Sequence, residues 1–286
     1  MTKLTVVIPA YNEEIAVASI IHLSSKYANE IIVIDDGSTD RTSEVAELAG
    51  ATVLHHSTNL GKGAALKTAF NYACDYDILV TIDADGQHNP DEIPMLIKPI
   101  LDNEADIVNG SRYLNGQDTE TPTYRRVGQT VLDTATNVAA NIKLTDTQSG
   151  FRAFSADSLA HFNLNSDDFS IESDMLIEAS KNNLIIKEVE ITVRYDVNTT
   201  RANPVVQGLT VLMRILEIMR FNRPLYFYGV GGGIVLFIGM LMWLSLSMSV
   251  WASDVHLLTI SFFIMAIGVI LIFSGIMTDT LNRFKN

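Results

Sequence analysis

Asp83 and Asp85 stand one residue apart at the end of the apolar run Tyr76–Ile82, with Gly86 and Gln87 directly behind them. If the run continues as extended chain, both carboxylates face the same side. Two like charges that close repel, and one is pushed neutral unless a cation lies between them. Hard oxygen donors select Mg2+ or Mn2+ over zinc, and Gln87 adds a neutral carbonyl oxygen. Mg2+ commonly takes only one or two carboxylates and completes its shell with phosphate oxygens, so the pattern points to a diphosphate ligand. The same D-x-D-G spacing also suits an aspartate turn that satisfies its own backbone.

Asp35 and Asp36 end a second apolar run, EIIVID, where a carboxylate can accept hydrogen bonds from a nucleotide base or ribose. Ser38, Thr39 and Asp40 suit the cap of the next helix. In NLGKG, Asn59 to Gly63, glycines and Lys62 precede a helical pattern. That suits a phosphate site at a helix N-terminus, or simply a loop that starts a helix. The Walker spacing G-x-x-x-x-G-K-S/T is missing.

The elements that must position these tips alternate along residues 1–203. Strand-like runs are Leu4–Ile8, Glu30–Asp35, Thr52–His56, Tyr76–Asp83, Asp106–Tyr113 and Lys187–Tyr195. Helical patterns run from Glu14 to Lys26, from Ser38 to about Ala49 and from Gly61 to Cys74, and another starts at Pro90. Apolar strands separated by helices predict an α/β domain: a mostly parallel sheet with helices on both faces. In such sheets ligands bind outside the carboxyl ends of the strands, and PAYNE, DDGSTD and DADGQH all fall on that edge.

A net charge of -13 argues against a nucleic-acid partner, because phosphate backbones call for basic patches. The single cysteine, Cys74, excludes an intramolecular disulfide and a cysteine-based zinc cluster, and its place in a helical pattern predicts core packing. The N-terminus lacks the features of a signal peptide, so the first domain is expected in the cytoplasm.

Residues 225–249 and 256–278 carry no charge, and each is long enough to cross a bilayer. The connector is short, so the two spans are expected to form a hairpin. Arg214, Arg220 and Arg223 precede it, Arg283 and Lys285 follow it, and the connector holds only Asp254, which predicts that both ends are cytoplasmic. Trp243 and Trp251 lie towards the connector, where indoles favour the interface. Residues 204–224 have apolar positions at helical spacing with Arg214, Glu217 and Arg220 interspersed. They suit a helix on the membrane surface or an ordinary docking helix. Residues 279–286 form a cytoplasmic tail in this reading.

PAYNE, DDGSTD, NLGKG, DADGQH, GSRY and DTQSGFR, in that order, resemble the inverting GT-A glycosyltransferases of family 2. The likeness is greatest to the dolichyl-phosphate and polyprenyl-phosphate sugar transferases, covers about residues 4–195, and extends to the trailing membrane hairpin. It implies the GT-A nucleotide-sugar fold and metal-dependent transfer of one sugar from a nucleotide-sugar to a polyprenyl phosphate, with Mg2+ or Mn2+ as cofactor. It places Pro9, Ala10, Tyr11, Glu13, Ile34, Asp36 and Lys62 around the donor. Asp83, Ala84 and Asp85 fall at the diphosphate, with Asp85 and Gln87 as metal ligands and Asp83 beside them. Arg112 lies between donor and acceptor phosphates, and Ser149 and Arg152 lie where the lipid phosphate is received. Arg125 and Arg126 match further acceptor-side arginines, and Asp85, Arg112 and Arg152 are the expected catalytic set.

The branch's R-x-x-G-x-S-K stretch is replaced here by DVNTTRAN, residues 196–203, with Arg201 as a substitute basic residue. That departure favours a UDP-hexose or UDP-N-acetylhexosamine over GDP-mannose. The Q-x-x-R-W signature of processive synthases is absent. Two alternatives stay open: a membrane-anchored family 2 transferase with a glycan or other acceptor, and a non-catalytic scaffold of the same fold. Homo-oligomerisation is not legible in the sequence.

Overall fold

The computed structural model describes residues 2–73, 75–114, 123–164, 166–194, 204–248 and 255–285. Its first unit, Met1–Leu212, is built on a seven-stranded sheet in the order β3-β2-β1-β4-β6-β5-β7. The strands are β1 (Leu4–Ala10), β2 (Glu30–Asp35), β3 (Thr52–His55), β4 (Ile78–Thr81), β5 (Ile107–Ser111), β6 (Arg152–Ser155) and β7 (Ile186–Glu190). The helices of this unit are α1 (Val17–Ser24), α2 (Thr42–Leu48), α3 (Lys62–Tyr72), α4 (Ile93–Leu101), α5 (Thr123–Ala140), α6 (Ala156–Leu159) and α7 (Ile171–Lys181).

Successive side chains of a strand point to opposite faces, so continuous apolar strands need cover on both. Val6 and Ile8 of β1 join Val33, Val80, Ile20 and Leu96 in one buried cluster. Val7 joins Ile32, Leu79, Leu66 and Met175 in the other. The chain winds from β1 outward to β3, then returns to place β4 on the other side of β1. That reversal is the switch point where open α/β sheets form their ligand crevice.

The sheet is mostly parallel, as the sequence predicts, but the structure adds one strand that the sequence reading lacked and shortens another. β6 lies between β4 and β5 and is antiparallel to both, whereas the other pairings are parallel. β4 stops at Thr81, so Asp83 and Asp85 sit in a turn rather than on extended chain. Gly86, with φ of 75°, closes that turn in the left-handed region that favours glycine.

The boundary with a second unit, Met213–Asn286, falls within α8 (Pro204–Asn222), and that unit also holds α9 (Pro224–Met248) and α10 (Val255–Lys285). α9 and α10 are long and apolar enough to cross a membrane. They pack against each other at glycines, which permit close backbone approach. A Cβ on Gly232 would lie 2.7 Å from the carbonyl oxygen of Gly268, and one on Gly239 would lie 2.7 Å from Met265 Cγ.

Candidate active site

The tips of β1 and β2 are tied to one another by side chains. The Asn12 amide donates to Ser38 Oγ at 2.9 Å, Asn12 Oδ1 accepts from the Thr39 amide at 2.8 Å, and the Glu13 amide donates to Thr42 Oγ1 at 2.7 Å. Tyr11 stays 40% exposed on this edge. Ala10, Ile34 and Ala84 are buried, and the Ile34 side chain packs among Leu66 and Leu79. A donor could therefore reach Ile34 only through its backbone.

Asp36 is buried at 3% exposure. It accepts from the Leu60 amide at 3.0 Å, the Gly61 amide at 2.8 Å and His56 Nδ1 at 2.7 Å. Its carboxylate thus holds the NLGKG loop in shape. Gly61, with φ of 98°, passes so close to Asp167 that a Cβ would lie 2.3 Å from the Asp167 carbonyl oxygen.

Lys62 opens α3, but its ammonium lies between two carboxylates, 2.6 Å from Asp83 Oδ1 and 2.7 Å from Glu172 Oε1. Burial opposes its charge, yet Asp83 and Glu172 together hold its pKa above the usual lysine value. Asp83 is likewise penalised by burial, and Lys62 overrides this and keeps its carboxyl below the ordinary range. Glu172 is raised by burial despite Lys62. Asp85 has no such cation: burial first, and then the charge of Asp83, push its pKa up to about 6. Its Oδ1 accepts the Gln87 amide at 3.0 Å. His88 is buried against Phe151, and burial lowers its pKa to about 4, so it stays neutral near pH 7.

Among the described residues, no cluster of three or more His, Cys, Asp or Glu is arranged as a metal site. The donor set still fits a divalent ion of the kind that shares its shell with a substrate. Asp85 is a hard, unneutralised carboxylate beside Gln87, and phosphate oxygens would supply further ligands.

The acceptor-side residues divide into two groups. Arg112 forms a bidentate pair with Asp146, Nε to Oδ2 at 2.6 Å and Nη2 to Oδ1 at 2.8 Å. The Gln129 amide oxygen accepts from Arg112 Nη1 and Nη2 at 3.1 and 3.0 Å, and its nitrogen meets the Tyr113 hydroxyl. Arg126 stacks on the Tyr113 ring at 3.5 Å, with its Nη1 buried and unpartnered. Arg112 and Arg126 are thereby gathered on one tyrosine, 5.3 and 3.5 Å from its ring centroid.

Arg152 departs from the expected phosphate role: it is 0% exposed. Its Nε donates to Asn109 Oδ1 at 2.9 Å, Nη1 to the Glu172 carbonyl at 2.7 Å and Nη2 to the Thr147 carbonyl at 2.7 Å. A guanidinium committed to the protein's own oxygens braces the wall of the site. Ser149 is also buried, at 1%, and its Oγ accepts the Phe151 amide at 3.3 Å. Arg201 and the side chain of Arg125 lie outside the described residues.

Sequence reasoning missed Glu172, Asp146 and Asn109. Asp146 opens the quoted DTQSGFR and carried a signal; Glu172, in SIESD, looks like any surface acid.

The model of glycosyl transferase family 2 matches residues 5–162. The chain is similar to a UDP-N-acetylglucosamine–dolichyl-phosphate N-acetylglucosaminyltransferase of Methanococcus voltae, 34% identical over 73% of this chain and 93% of that protein. It is 32% identical to a polyprenol monophosphomannose synthase of Mycolicibacterium smegmatis, over 65% of this chain and 76% of the relative. Among solved structures, a glucosyl-3-phosphoglycerate synthase of Mycobacterium tuberculosis, in complex with Mn2+, UDP and phosphoglyceric acid, superposes with a TM-score of 0.62. It is 26% identical and covers 77% of this chain and 78% of its own.

Proposed function

Because the chain belongs to glycosyl transferase family 2 and is a glycosyltransferase, we propose that it moves one sugar from a nucleotide-sugar to a polyprenyl or dolichyl phosphate at a membrane surface. The observation that carries this reading is the site's division into two halves. A carboxylate tip at Asp83 and Asp85 suits a metal-bound diphosphate, and the Arg112–Tyr113–Arg126 cluster suits a second phosphate. A transferase with a plain hydroxyl acceptor has no use for the second half. The similarity to transferases named for dolichyl and polyprenol acceptors supports the same choice.

In this reading Tyr11 offers its exposed ring to the base, and the Asp36-braced loop shapes the floor beneath the donor. Asp85, with Gln87, would hold Mg2+ or Mn2+, whose charge offsets that developing on the leaving nucleoside diphosphate. Arg112, its guanidinium held in place by Asp146 and Gln129, supplies fixed positive charge between the donor and acceptor phosphates. Arg126 adds positive charge on the acceptor side. The attacking oxygen belongs to a phosphate monoester whose second pKa is about 6, so it is already largely dianionic at neutral pH. No side chain has to remove a proton from it. Attack opposite the leaving group inverts the anomeric carbon and gives a β-linked lipid phosphate sugar. A UDP-hexose or UDP-N-acetylhexosamine is the favoured donor, in line with the UDP-sugar named for one relative and the UDP in the solved neighbour. α9 and α10 would span the membrane, with both chain ends on the cytoplasmic side, and α8 would lie along the surface.

The test offers the full chain in detergent a polyprenyl phosphate, Mn2+ and, separately, labelled UDP-N-acetylglucosamine, UDP-glucose and GDP-mannose. Label is expected in the organic phase from a UDP-sugar, reduced at least about 100-fold in Asp85→Asn, as for loss of one electrostatic group of this kind. UDP release without lipid labelling would sink the lipid acceptor and favour a soluble one.

A further inference from the structure

Lys62 sits at a helix start where a free ammonium would await phosphate, but its side chain is only 14% exposed and its Nζ is shared between Asp83 at 2.6 Å and Glu172 at 2.7 Å. Glu172 comes from α7, a separate element, and is itself buried at 3%. It gives Oε1 to Lys62, while Oε2 is buried without a partner. Burying a carboxylate this deeply is costly unless it is compensated, so its placement over Lys62 calls for an explanation beyond packing. The result is that the two carboxylates of the D-x-D turn are unlike. Asp83 carries a resident cation, whereas Asp85 receives only backbone amides.

We propose that Lys62, anchored by Glu172, is a positioning residue that occupies Asp83 in place of a divalent ion. It leaves Asp85 as the open carboxylate of the pair and so makes metal binding wait for the donor diphosphate. A divalent cation approaching the empty turn meets one anionic ligand and one ammonium, a poor site. Once a diphosphate is seated, its oxygens supply the missing negative charge and ligands. Metal and donor thus bind as a unit, and the free protein does not hold a hydrated ion that would obstruct the donor. This rests on the metal-dependent reading given under the proposed function.

The experiment measures Mn2+ binding to the full chain by the loss of the free-ion paramagnetic resonance signal, without nucleotide and with UDP. Wild type should bind Mn2+ weakly alone and much more tightly with UDP. Lys62→Met removes the resident cation and should tighten nucleotide-free Mn2+ binding about tenfold or more, so that the enhancement by UDP shrinks. The double variant Lys62→Met with Glu172→Gln removes the buried charge that the single variant strands, and should show the same tightening where the single variant folds poorly. A lysine with a purely structural role would give weaker binding, or none, in both variants. Mn2+ affinity unchanged or weaker in the folded variants overturns the proposal while leaving the metal reading intact. Absence of Mn2+ binding by every form, UDP included, overturns both.

Discussion

Gly150 has no side chain, and Asp83 depends on that. A Cβ at Gly150 would lie 2.4 Å from Asp83 Oδ2, inside any allowed contact, and the carboxylate cannot swing away without leaving Lys62. Gly150→Ala is therefore expected to cost stability modestly, about 1–3 kcal/mol as for other overpacked sites, and to lower transfer far more. Calorimetry and the labelling assay separate the two, and unchanged turnover in a folded variant would refute the steric coupling. Arg112 and Asp146 make a second case. Asp146 is 0% exposed, so Arg112→Ala strands a buried carboxylate at a cost of about 3–5 kcal/mol. Adding Asp146→Ala should restore most of the melting temperature but none of the activity, because the arginine's positive charge is still missing. Recovery of activity in the double variant would show that Arg112 only stabilises.

At the scale of elements, α5 is tied to the DTQSGFR loop by Asp133, whose Oδ1 accepts from the Thr147 amide at 2.7 Å and Thr147 Oγ1 at 2.8 Å. Burial raises the Asp133 pKa from the ordinary carboxylate range to about 6. A carboxyl raised in the folded state contributes stability that is full below its unfolded pKa and lost as pH rises through its folded one. The wild type should thus lose up to about 3 kcal/mol from this group between roughly pH 4 and pH 6. Asp133→Asn keeps the acceptor oxygen without the charge, so it should be the more stable protein at pH 7.5 and converge with wild type near pH 4. A melting-temperature difference that did not change with pH would remove this account. The elements themselves were unevenly legible. β1, β2 and β4 showed as apolar runs because both of their faces are covered. β6 did not, because FRAFS begins its strand with Arg152, and a buried arginine held by carbonyls reads like a surface residue. α7 escaped for the same reason: Glu172, Ser173 and Asp174 are polar in sequence yet buried in the fold. The tips where a ligand would bind were legible as motifs, but the charges that tune them, on β6, α7 and the loop at Asp146, are long-range partners that local spacing does not reveal.

At the scale of the whole chain, the first unit contains the residues of the proposed site, and the second contains the long apolar helices. If the hairpin serves to bring the site to a lipid-borne phosphate, its loss should affect substrates according to where they reside. A chain ended after Leu212 should bind UDP with an affinity close to that of the full chain, because every described donor-side residue lies before that point. It should also use a short, water-soluble polyprenyl phosphate at a comparable rate. Against a long-chain polyprenyl phosphate in vesicles it should fall by about 100-fold or more, since anchoring replaces a bulk encounter with an effective local concentration. Measuring all three on one preparation distinguishes the causes. Loss of UDP binding would mean that the second unit supports the fold of the first. Full activity on the vesicle substrate would mean that the hairpin does something other than deliver the site to its acceptor.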